Sequence, residues 1–72
     1  MLIERGLRVM HMEAVSEAHA IAWNYLRRSG AIDDAAAAND QLVEIIMDLF
    51  NRGELNTIRL ANKAIAEFQA AH

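Results

Sequence analysis

Asp40-Gln41-Leu42-Val43-Glu44-Ile45-Ile46-Met47-Asp48-Leu49-Phe50-Asn51-Arg52-Gly53 has a helical period and more apolar surface than one helix face needs. At about 100° per residue, Asp40, Gln41, Glu44, Asp48, Asn51 and Arg52 occupy roughly a third of the circumference. Leu42, Val43, Ile45, Ile46, Met47, Leu49 and Phe50 spread over the larger part of the remainder. A helix on the surface of a monomer carries a narrower stripe. This one is therefore expected to be central, packed on two or more sides. Gly53 closes it, because glycine just past a helix end takes the left-handed conformation that stops the helix.

The same punctuation recurs upstream, where Gly30 follows Arg27-Arg28-Ser29. Proline is absent, and Ala, Leu, Glu and Arg favour helix along the whole chain. No run alternates apolar and polar residues over six positions, so strands have no support. The charges agree with the helix ends. Arg27, Arg28 and Arg52 sit where the helix dipole favours cations, and Asp33, Asp34 and Glu54 where it favours anions. The reading is all-α: a three-helix antiparallel bundle with helices at about 6–29, 34–52 and 55–71, forming one domain over 1–72. Gly6 leaves the first start open. Asn56 competes with Glu54 as the third N-cap, and Asn39 with Asp33 or Asp34 as the second. Because Asn39 falls in the apolar arc, regular helix is expected to begin there, with 33–38 forming an extra turn.

Helix 3 is plainly amphipathic, with Ile58, Leu60, Ala61, Ala64, Ile65, Phe68 and Ala71 on one arc. Helix 1 is broader. Leu7, Met12, Ala14, Val15, Ala18, Ile21, Ala22, Trp23, Tyr25 and Leu26 share its apolar side. Ala14, Ala18 and Ala22 step by four and let another backbone come close. The chain has 72 residues, and a domain of that size buries only ~60% of the surface its unfolded chain exposes. Three helices cannot easily cover two wide arcs and a stripe. The bundle is therefore expected to be completed by homodimerisation, with Met12, Ala14, Val15, Ala18, Ala22, Val43, Ile46, Met47 and Phe50 in the interface.

Composition narrows the function classes without choosing one. The net charge is -3 and there is no cysteine, which excludes a disulfide scaffold and a thiolate zinc site. The longest uncharged run, Ala18 to Leu26, is far short of the ~20 residues a membrane span needs. No signal-peptide apolar region is visible, so a cytoplasmic location is expected. Glycine-rich phosphate loops, Gly-x-Ser-x-Gly and His-Glu-x-x-His are absent. The expectation is a non-enzymatic module without cofactor or metal, one that self-associates and possesses a further protein partner.

Three residue groups stand out against that reading. His11 and His19 lie in the apolar arc of helix 1, eight apart, with Val15 between them. They suggest a metal, ligand or pH-sensitive site at a helix interface. The plainer reading is a half-buried histidine hydrogen-bonded between helices. Arg52, Arg59 and Lys63, with Asn56, form a stripe that fits phosphate or an acidic partner, and otherwise a solvated face. Asp40, Glu44 and Asp48 repeat at i,i+4 and read as a solvated acidic face. Helix 2, Gly53 and helix 3 have a helix-turn-helix outline. Arg59 and Asn62, however, fall where the second helix should pack apolar groups inward, and the acidic balance opposes DNA.

Overall fold

Three helices form: α1 Leu2–Arg28, α2 Ala35–Asn51 and α3 Thr57–Ala70. The computed structural model describes the backbone of Leu2–Ala71 and the side chains of Met12–Ala71. The chain is 80% helical and, among the described residues, has no strand. Each helix touches the other two, as in a three-helix bundle. No helix among the described residues is long and apolar enough to cross a membrane.

Both predicted glycine stops operate by one geometry. Gly30 has φ 77° and Gly53 φ 104°. After α1, Ala31 N–H donates to Leu26 O at 3.1 Å and Gly30 N–H to Arg27 O at 3.3 Å. After α2, Glu54 N–H donates to Leu49 O at 3.1 Å and Gly53 N–H to Phe50 O at 3.0 Å. This nested pair satisfies carbonyls that a helix end otherwise leaves unpaired. The two turns reverse the chain, so α1 and α2 run antiparallel and α3 returns alongside α1.

The N-terminal ends correct two expectations. Helix α1 begins at Leu2 rather than near residue 6, with Gly6 inside it. Regular helix α2 begins at Ala35, not Asn39. Asp34 is its N-cap, and its carboxylate accepts from Ala36 N–H at 3.1 Å and Ala37 N–H at 3.2 Å. Asn56, rather than Glu54, caps α3 and accepts from Arg59 N–H at 3.1 Å.

The core is drawn from all three helices. Ala18, Ala22 and Leu26 come from α1; Ala38, Leu42, Ile46 and Leu49 from α2; Leu60, Ala61, Ala64 and Phe68 from α3. Nearly half of these are alanines, so backbones rather than long side chains set the helix spacing. The alanine steps on α1 and α3 explain why that pair makes the most extensive contact. Ala18, Ala22 and Ile46, expected between copies, are instead sealed inside one copy, at 0%, 0% and 1% exposure. The reason is that α2 and α3 together cover the alanine row of α1 from two sides.

The shape is long, at 42 × 18 × 18 Å. Helix α1 has 27 residues and accounts for that length, at about 1.5 Å of rise per residue. Helices α2 and α3, with 17 and 14 residues, are much shorter.

Candidate functional site

An open groove of about 310 Å³ runs between α1 and α2, lined by Met12, Val15, Ser16, His19, Asn39, Val43 and Ile46. Helical spacing places Met12, Val15, Ser16 and His19 on one side of α1 and Asn39, Val43 and Ile46 on one side of α2. Met12 and Val43 remain 54% and 42% exposed, while Ile46 forms the floor.

One polar contact crosses the groove. Nε2 of His19 lies 2.7 Å from Oδ1 of Asn39. An amide oxygen only accepts, so Nε2 carries the hydrogen and donates. The His19 ring also stacks on Trp23, one turn on, with centroids 6.0 Å apart and planes 10° from parallel. Each of the two polar residues sits in an otherwise apolar arc and satisfies the other. No buried side-chain nitrogen or oxygen among the described residues lacks a partner. Sequence reasoning read Asn39 as a capping candidate and missed this bond. The available signal was that adjacent antiparallel helices carried polar residues inside their apolar arcs, His19 on α1 and Asn39 on α2.

The remaining expected interface residues divide by burial. Val15, Ala14, Met47 and Phe50 are half-buried. Val15 packs on the core from the groove side. His11 lies outside the described side chains. Among the described residues, no three His, Cys, Asp or Glu groups come together in a way that could hold a metal ion.

The cationic stripe is largely engaged with neighbouring acids. Arg52 pairs with Asp48 at 2.9 Å. Lys63 donates to Glu54 at 2.6 Å, and that contact, with Arg59 also nearby, holds the Glu54 carboxyl below its usual range. Asn56 is committed to its cap. The acidic row splits in the same way, since Asp48 is bound to Arg52 while Asp40 and Glu44 face solvent. With Lys63 on α3 and Glu54 in the preceding turn, this pair ties the turn to the helix that follows.

No family model matches the chain, and neither a curated protein nor a solved structure matches it.

Proposed function

We propose that this chain is a non-enzymatic helical module that works by self-association. The observation that carries the reading is its surface. Among the described residues, Met12, Ile21, Tyr25, Val43, Leu55 and Ile58 are large apolar side chains that stay 41–59% exposed, apolar surface that pairing would cover. Its core is self-supplied, so the pairing units are folded copies rather than halves of a shared core.

The anion-binding alternative has less support, because Arg52 and Lys63 already have carboxylate partners. Salt separates the two readings. Pairing between copies that each carry a net charge of -3 strengthens as salt screens their repulsion. Binding to phosphates weakens with salt. Sedimentation equilibrium at micromolar concentration is the direct test. A mass of twice 8.0 kDa is expected, and a single-chain mass at every concentration and salt would overturn the reading.

A further inference from the structure

We infer that the His19–Asn39 hydrogen bond is a register lock: it holds α1 and α2 in one lengthwise alignment and excludes the alignments one helical turn away. The apolar packing of the described side chains decides that alignment only weakly. On α1, Ala14, Ala18 and Ala22 repeat every four residues, and the last two are sealed in the core. On α2, the buried Ala38, Leu42 and Ile46 repeat at the same spacing. A slide of one turn is roughly 6 Å, at about 1.5 Å per residue. It puts alanine where alanine was on α1, and on α2 it puts Ile46 where Leu42 was. Exchanges of aliphatic side chains that conserve volume cost little.

The ion pairs do not decide the alignment either. Arg52–Asp48 lies within α2, and Lys63–Glu54 joins α3 to the turn before it. Nor does the connection from α1 to α2. Residues 29–34 can reach roughly 20 Å, several times the slide.

The bond across the groove has no such repeat. Nε2 of His19 reaches Oδ1 of Asn39 at 2.7 Å, between two half-buried side chains. One turn to either side of Asn39, α2 carries Ala35 and Val43. Neither side chain can accept the histidine hydrogen. One turn to either side of His19, α1 carries Val15 and Trp23, and the indole has a donor but no acceptor. Either slide therefore leaves His19 without its partner. Stranding one half-buried donor lowers the population of the slid alignment by about tenfold or more. One polar pair in apolar surroundings thus selects a single alignment, as a buried polar residue does between the helices of a coiled coil.

The chain has one tryptophan, and Trp23 lies against both His19 and the core, so its indole N–H resonance reports the alignment. One sharp indole peak is expected from wild type. His19→Phe combined with Asn39→Leu removes both polar groups and keeps a ring beside Trp23. This double variant is expected to keep its helicity, because replacing both partners of a bond by apolar groups is nearly neutral. It is expected to show a second indole peak above about a tenth of the total intensity, or one peak broadened by exchange. The change should persist on dilution, which separates alignment from assembly. His19→Asn combined with Asn39→His transposes the pair and is expected to restore one sharp peak. A single sharp peak in the apolar variant, loss of its helix, or an effect that vanishes on dilution refutes the lock. So does more than one peak in wild type, or a transposed chain that behaves as the apolar one does.

Discussion

Replacing Asn39 with alanine strands the His19 N–H at a half-buried position, because Asn39 Oδ1 is its acceptor. The cost of removing one partner of such a bond is about 1–2 kcal/mol. His19→Ala removes the ring stacked on Trp23 as well, so it should cost somewhat more. In denaturant unfolding of both single variants and the double variant, a coupling of at least about 0.5 kcal/mol is expected. Strict additivity would show that the bond contributes nothing. Ala18→Leu is a sharper probe of packing. At 0% exposure the site has no room for extra carbons, and overpacking costs about 1–3 kcal/mol. The alanine row was legible as a close-approach stripe from its spacing alone. Its occupants were not, because spacing cannot say whether a helix of the same chain or of another copy fills it.

Among the helices and turns, the endings were the most legible feature. Gly30 and Gly53 announce them locally, and left-handed backbone needs no tertiary partner to be inferred. A Cβ added at Gly53 meets no atom within 4 Å, so Gly53→Ala tests the backbone conformation itself. It should lower stability by about 1 kcal/mol, read from the shift of a thermal midpoint. The start of α2 was less legible, since Asp34 and Asn39 are both good caps by type. The choice depends on Asn39 having a better use across the groove. Charge at the second turn gives a pH prediction. The Glu54 carboxyl titrates below its ordinary value of 4.5, chiefly through its bond to Lys63. The lowered value means the folded chain holds its proton less tightly than the unfolded chain. Its contribution is therefore complete above pH 4.5 and fades as pH falls through the lower folded-state value. The thermal midpoints of wild type and Lys63→Met should differ near neutrality and converge in that acid range. A constant gap would mean the pair is not the cause.

At the scale of the molecule, Ile46 is one of the large side chains sealed in the core shared by the three helices. Ile46→Asp places an unpaired charge at 1% exposure between α2 and its neighbours. Loss of cooperative unfolding, seen as a sloping rather than sigmoidal thermal trace, is expected. A bundle was legible because three apolar arcs of helical period leave few other solutions. How the arcs share one another was not legible: α1 and α2 are wide enough to suggest an open core, yet alanines let α3 close it. The turns that allow this closure span 29–34 and 52–56, a handful of residues each. Neighbouring segments then meet after a short search, and helical proteins dominated by such near-in-sequence meetings fold within microseconds to milliseconds. On the self-association proposal, diffusion brings copies together only afterwards, at a rate set by their dilution. Refolding after a rapid jump should follow a single rate that does not change when the protein is diluted tenfold, so assembly would act on finished units and leave the speed of their making untouched.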